Sequence, residues 1–467
     1  MRIIVSNNIK IQEPDERIKN YAETNLVMQN PDYIRNERLG YSNYKTPRNL
    51  VFYEINGNEL ILPFGCLSDL FSMYQLNLFE NRIILGKYIN YNSQIKLFDY
   101  QEKVCKQAVL KKNGIIVMPA GSGKTQTALE IIANLKLKTL WITHTIDLLN
   151  QSYSRAKSNF EDVGLGKIAN GKIEIGTHIT FATVQTLKSI DLQDYADNWD
   201  CIIVDECHRV CGTPAKAGMF YKVINKLVAR YKYGLTATPY RNIKGTERAM
   251  FCLLGKTIIE LDKNVIGDRI IPATVIKKTT NFNEIPEECQ ETDGTIKYAT
   301  LTTALSEDKE RNKLILDILD KCKNNYTLVL TDRVNQMYYL RDKLGYGNVI
   351  DGKTKKDIRE NAIQEVREGK EKVLFATYGL AKEGLDIPRL DRLILASPHR
   401  DKATIIQSVG RIERKFENKV KPICYDLVDP IQYFQGMYKS RKSYYKKNNN
   451  VLKESDVDDW SRRICKN

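Results

Sequence analysis

Two short stretches hold residue types that can handle phosphate. PAGSGKT, residues 119–125, ends in a lysine and a hydroxyl behind two glycines, and CIIVDECH, residues 201–208, closes an apolar run with two acids and a histidine. In the first, backbone N–H groups of Gly121, Ser122 and Gly123 at a helix N-terminus can surround a β-phosphate. Lys124 can then reach the β/γ oxygens, and the Thr125 hydroxyl can ligate Mg²⁺. In the second, Asp205 can hold Mg²⁺ through water, while Glu206 orients and deprotonates an attacking water. His208 would link this site to whatever the protein moves along. The strict phosphate-loop pattern opens on Gly or Ala; Met118 stands there instead, and the GSGKT core is intact.

The second stretch has a competing reading, because Cys207, His208 and Cys211 could be three zinc ligands. Spacing suggests no fourth ligand, and no C-x-x-C pair occurs among the ten cysteines. Zinc explains three residues, whereas phosphoryl chemistry explains the strand, both acids and the upstream loop together. The cysteines are expected to be reduced and mostly buried.

These groups need elements to carry them. From Gly114, GIIVMPAGSGKTQTALEIIANL reads as strand, glycine-rich loop and helix. Short apolar strands recur in TLWIT, ITFAT, CIIVD and YGLTATP, and a second series follows from residue 310 with TLVLTD, KVLFATYG and DRLILAS. Strands alternating with helices imply parallel sheets covered on both faces. The expected fold is therefore α/β: a small α+β N-terminal domain over 1–95, then two tandem parallel-sheet domains over 96–255 and 309–430. Residues 256–308 read as a connecting segment, and 431–467 as a basic C-terminal tail.

At 467 residues, two or three domains with separate cores are expected. No run of about 18 apolar residues occurs and no signal peptide opens the chain, so no membrane partner and a cytoplasmic protein are expected. The net charge of +15 is uneven: residues 1–95 are balanced, whereas KSRKSYYKK at 439–447 carries five bases and no acid. Basic faces draw in polyanions by releasing counterions, so nucleic acid is a natural partner.

The order of motifs resembles the superfamily 2 helicases. DECH is similar to a DExH-type motif II, and LFDYQ, ending at Gln101, resembles the glutamine motif that reads adenine. THT at 143–145 and ATVQT at 182–186 resemble motifs Ia and Ib, and LTATP at 235–239 resembles motif III. In the second half, LVLTDR resembles motif IV, ATYGLAKEGLDIP motif V and QSVGRIERK motif VI. The resemblance spans about residues 96–430 and implies two RecA-like domains with ATP and Mg²⁺ as cofactors.

It further implies roles for individual residues. Arg411 and Arg414, three apart on one helical face, would point at the γ-phosphate held by the other domain, with Lys124 and Glu206 completing the catalytic set. Gln407, Gly384 and Asp386 would sense that phosphate, and Thr143, His144, Thr183, Gln185, Thr331 and Thr377 would contact nucleic acid. QSVGRIERK resembles the XPB-like, RecG-like and phage translocase version of motif VI rather than the HRxGRxxR of RNA DEAD-box proteins, so DNA, branched or single-stranded, is expected over RNA. Residues 30–65 resemble the leading domain of phage UvsW-like branch-migration helicases. They could form a DNA-sensing module using Tyr41, Tyr44, Arg35 and Arg48, or a brace for the first RecA-like domain. The expected activity is ATP-dependent remodelling of branched DNA. An RNA helicase and a restriction or defence translocase subunit are the alternatives.

Overall fold

The computed structural model describes residues 1–237, 247–382, 385–448 and 450–454. The chain divides into two units, Met1–Val265 and Ile266–Asn467.

The first unit opens with a five-stranded sheet whose strands run, in spatial order, Glu54–Asn56, Glu59–Pro63, Asn8–Gln12, Arg2–Val5 and Phe79–Asn81. Ile3, Ile9, Ile11 and Leu62 alternate onto its buried face. Helix Glu16–Asn25 closes that face with Ile18 and Ala22, and Asp15 caps it by accepting from Ile18 N at 3.0 Å. The adjoining helix Pro31–Arg38 buries none of its side chains.

The same unit contains an eight-stranded sheet. Its order is Lys172–Glu174, Leu165–Ala169, Ile179–Thr183, Thr139–Thr143, Cys201–Asp205, Tyr231–Thr236, Asn113–Val117 and Thr257–Glu260, parallel except at the Lys172–Glu174 edge. The three central strands Ile179–Thr183, Thr139–Thr143 and Cys201–Asp205 are buried at every position, as β-branched runs covered on both faces must be. Their carboxyl ends are the edge where α/β sheets place ligands. Asp205 is the last residue of its strand there, and Asn113–Val117 leads into the phosphate loop.

The second unit is a seven-stranded sheet, wholly parallel, in the order Asn348–Ile350, Val373–Thr377, Thr327–Thr331, Arg392–Leu395, Ile423–Val428, Thr274–Thr279 and Val451–Glu454. Two expectations change here. Residues 256–308 are more than a connection, since Thr257–Glu260 is the edge strand of the first sheet and Thr274–Thr279 lies inside the second. The segment from 431 is not a tail up to residue 454. Gln432–Lys447 is a helix and Val451–Glu454 an added strand.

The helix is held by what the sequence pattern hides. Phe434, Met437, Tyr438 and Tyr445 are buried at helical spacing, and Arg441, the second base of KSRKSYYKK, is only 2% exposed. Its guanidinium takes Asp426 in a two-pronged pair, Nε to Oδ2 and Nη2 to Oδ1 at 2.9 Å each. Tyr445 donates to the same carboxylate at 2.8 Å. A second buried pair, Arg311 Nε to Asp429 Oδ1 at 2.9 Å, ties helix Lys309–Lys321 to the loop after Ile423–Val428.

Candidate nucleotide and nucleic-acid site

The phosphate loop turns on two glycines with positive φ, Gly121 at 80° and Gly123 at 79°, and Gly123 caps helix Lys124–Leu135. A Cβ on Gly123 would meet Gln101 Nε2 at 2.4 Å, so the backbone can approach only without a side chain. Ser122 is buried and donates Oγ to Pro119 O at 2.7 Å; Lys124 Nζ lies 3.4 Å from Met118 O. Gln101 is fully buried. Its Nε2 donates to Ser122 O at 3.0 Å and its Oε1 accepts from Phe98 N at 3.0 Å, so its amide braces the loop and caps its own helix.

The acids stand where the strand ends. Asp205 is buried at 8% exposure and accepts from Glu206 N at 3.0 Å. Glu206 takes a left-handed backbone, φ 50° and ψ 48°, a conformation that non-glycine residues hold only when their surroundings enforce it. His208 Nδ1 lies 3.2 Å from Glu206 Oε2 and 3.1 Å from Thr236 Oγ1. Burial, then the neighbouring Glu206 charge, pushes the Asp205 carboxyl up. Burial acts the same way on Glu206, but the His208 hydrogen bond with the charges of His208, Lys124 and Arg209 outweighs it and holds Glu206 low. The neighbouring cations thus favour the charged form of Glu206.

The zinc alternative loses its geometry. Cys207 Sγ packs 3.3 Å from Met250 Sδ and against Gly234, where an added Cβ would meet that sulfur at 2.7 Å. His208 is turned to Thr236 and Glu206 instead, so the two do not converge on one point.

Sequence reasoning missed Arg155, on helix Ile146–Asn159. Its Nη1 donates to Thr125 Oγ1 at 3.0 Å. It also missed the use of Thr236, although that residue lies within LTATP. No spacing marks Arg155 in NQSYSRAKSNF, whereas the strand end at Thr236 could have been paired with DECH from sheet order.

The expected nucleic-acid contacts divide. Thr143, Thr183 and Thr331 are buried, and their hydroxyls are used inside the fold: Thr143 to Thr145 O at 3.1 Å, Thr183 to Thr186 at 3.0 Å, Thr331 to Gln336 Oε1 at 2.5 Å. Their side chains are turned into the fold. A threonine at a parallel strand's end satisfies its hydroxyl against the next turn, which the motif alone does not reveal. Gln185 is exposed and donates to His144 O at 2.7 Å, joining the two remaining candidates of this unit. Burial, then Arg209 and His208, hold the His144 ring below the ordinary imidazole range. Thr377 is half-buried at the end of its strand.

In the second unit, Arg411 and Arg414 do not share a helical face as expected. Helix Lys402–Ile412 ends between them, Arg411 lies in its last turn, and Arg414 forms an isolated bridge with Ile270. Arg411 Nη1 donates to Leu385 O at 2.9 Å, and Arg414 is ion-paired with Asp386. The candidate motifs V and VI are thus in direct contact. Gln407 lies on the same helix, half-buried; Gly384 lies outside the described residues. Between the arginines, buried Glu413 accepts from Ala273 N at 3.1 Å and from Asn450 Nδ2 at 2.8 Å. Arg441 Nη1 donates to His399 O at 3.0 Å, just ahead of the helix. The C-terminal helix, through Arg441, and the turn after it, through Asn450, therefore hold the arginine segment on either side.

The family model described as "Type III restriction enzyme, res subunit" matches residues 94–241, and "Helicase conserved C-terminal domain" matches residues 310–415. The chain is 28% identical over 448 residues to the "Putative ATP-dependent RNA helicase L396" of Acanthamoeba polyphaga mimivirus, covering 92% of this chain and 79% of that one. It is 29% identical over 363 residues to the "DNA 3'-5' translocase XPB2" of Sulfurisphaera tokodaii, covering 69% and 79%. In fold it is similar to S. cerevisiae Dbp5 bound to RNA and ADP BeF3, with TM-score 0.57 and 15% identity over 80% of this chain and 92% of that chain. Among the described residues no helix is long and apolar enough to cross a membrane. With a phosphate loop and a DECH strand at one sheet in the first unit, two arginines at a helix end in the second, and both helicase models matched in order, the chain belongs to the superfamily 2 helicases and is a nucleic-acid-dependent ATPase.

Proposed function

We propose that this helicase is an ATP- and Mg²⁺-dependent DNA translocase that remodels branched DNA. The observation that carries the substrate reading is the 29% identity, over 69% of the chain, to a protein named as a DNA translocase. The QSVGRIERK segment agrees, since it lacks the HRxGRxxR of RNA DEAD-box proteins.

The residues fit the chemistry. Thr125 offers a hydroxyl oxygen and Asp205 a buried carboxylate, the hard oxygen donors that Mg²⁺ takes, beside a glycine cradle that a single Cβ would fill. Mg²⁺, when held there, supplies positive charge against the β- and γ-phosphate oxygens. Lys124, at the N-terminus of its helix, adds a cation and a row of backbone N–H donors. Glu206 accepts the proton of the attacking water, and His208, whose Nδ1 lies 3.2 Å from its carboxylate and 3.1 Å from Thr236 Oγ1, stands between the two. Arg411 and Arg414 are assigned to the charge that develops on the transferred phosphoryl group. His144 and Gln185 are the side chains of the first unit best placed to meet nucleic acid, together with Thr377 in the second.

Branch recognition is assigned to the N-terminal domain. Tyr44 is 90% exposed and Tyr41 60% exposed, beside exposed Arg35 and Arg48, on a segment whose helix buries nothing. Aromatic faces and guanidinium groups stack on unpaired bases without needing a large net charge.

A second reading, RNA as substrate, is favoured by the mimivirus relative's name alone. ATPase rates measured in parallel with single-stranded DNA, duplex, a four-way junction and RNA separate the two. Strongest stimulation by the junction is expected, and stimulation by RNA alone would reverse the substrate assignment.

A further inference from the structure

The pair of residues assigned to the metal already faces a cation of the chain's own. Arg155 Nη1 donates to Thr125 Oγ1 at 3.0 Å, and the same guanidinium is drawn to the Asp205 carboxylate. One arginine thus bonds the first oxygen donor directly and lies within electrostatic reach of the second. A guanidinium spreads a single charge over a planar fork, whereas Mg²⁺ concentrates two charges and wants its oxygens at about 2.0–2.1 Å. The two cations compete for the same lone pairs and repel one another at this range.

We propose that Arg155 is the resident counter-cation of the metal site, capping Thr125 beside Asp205 when nucleotide is absent and leaving it when metal and nucleotide arrive. This rests on the assignment of Thr125 and Asp205 to Mg²⁺. The helix that carries Arg155, Ile146–Asn159, starts directly after the strand end at Thr143, and Thr145 caps it by accepting from Leu148 N. His144, held by Gln185, lies in that connection. Release of Arg155 at one end and nucleic-acid contact at the other therefore act on one helix. Arg155 is accordingly a positioning residue that ties occupancy of the metal site to the segment carrying His144.

The test is binding of Mn²⁺, used in place of Mg²⁺, to the full-length, nucleotide-free protein, followed by electron paramagnetic resonance. Removing a unit charge from beside the site should tighten Mn²⁺ by about tenfold or more in Arg155→Ala, with Arg155→Lys between it and the wild type. Arg155→Gln, which keeps the volume, decides the matter if the alanine variant does not fold. Mn²⁺ affinity that is unchanged or weaker in the folded variant would overturn the proposal. Thr125→Ala and Asp205→Asn, titrated with Mn²⁺ in the presence of ADP, tell the two failures apart. If these two weaken binding while the Arg155 variants do not tighten it, the counter-cation role alone falls. If they leave binding intact, the metal assignment falls and takes the proposal with it.

Discussion

His208 Nδ1 stands 3.1 Å from Thr236 Oγ1, and the same nitrogen lies 3.2 Å from Glu206 Oε2. One imidazole thus lies between the carboxylate assigned to the attacking water and Thr236, the last residue of strand Tyr231–Thr236. Glu206→Gln keeps the shape of this contact and removes the base. It should bind ATP at near wild-type affinity while steady-state turnover falls by about 10²–10⁴. Turnover within a few-fold of wild type would remove Glu206 from that role.

Arg411 and Arg414 make different contacts, one with a carbonyl oxygen and one with a carboxylate. Lysine keeps the charge at either position but not the planar fork. Arg411→Lys and Arg414→Lys should each depress kcat well beyond any change in nucleotide Kd, read by single-turnover hydrolysis beside equilibrium binding. A loss confined to Kd would place these arginines elsewhere than on the transferred phosphoryl group.

Lys232 is fully buried; it donates to Leu227 O at 3.0 Å and lies 4.3 Å from the centre of the Phe64 ring. Burial lowers its pKa to about 7. Between that value and the ordinary lysine range the unfolded chain holds a proton that the folded chain does not, so stability must rise with pH across that window. Below about pH 7 both states are protonated and the contribution is flat. Denaturant melts at pH 7 and pH 9.5 should show this rise in the wild type, and Lys232→Met should flatten it. An equal pH dependence in both proteins would count against a neutral buried lysine.

The bidentate Arg441–Asp426 pair makes a stability prediction in the second unit. Arg441→Ala leaves the Asp426 carboxylate buried, with the Tyr445 hydroxyl still donating to it, and should cost about 3–5 kcal/mol in urea unfolding. Asn450→Ala, which removes a hydrogen bond to Glu413 between the two motif VI arginines, should lower kcat for ATP with little change in KM. A rescue of Arg441→Ala by removing the stranded charge, as in the double variant with Asp426→Asn, would locate the cost in that pair.

These contacts also show where the sequence is readable. The phosphate loop and the DECH strand announce themselves because glycines, a lysine and paired acids at strand ends serve few other purposes, and the parallel sheets follow from apolar runs alternating with helices. KSRKSYYKK misleads because five bases look like a solvated end. Arg441 is neutralised by an aspartate fifteen residues earlier on a buried strand, and spacing carries no trace of that. Thr143, Thr183 and Thr331 mislead the other way. Their place in motifs suggests exposure, yet each hydroxyl is spent on the turn or strand beside it. Arg155 meets Thr125 only because two helices pack side by side, a relation of tertiary structure with no local signature.

Conversion of a mobile four-way junction tests the central claim most directly. The full chain, supplied with ATP and Mg²⁺, should convert the junction to duplex products; Lys124→Ala should not, and a paired Tyr41→Ala, Tyr44→Ala variant should lose its preference for the junction over a matched single strand. A wild-type protein that leaves every DNA junction untouched while unwinding an RNA duplex in the same buffer would contradict the account.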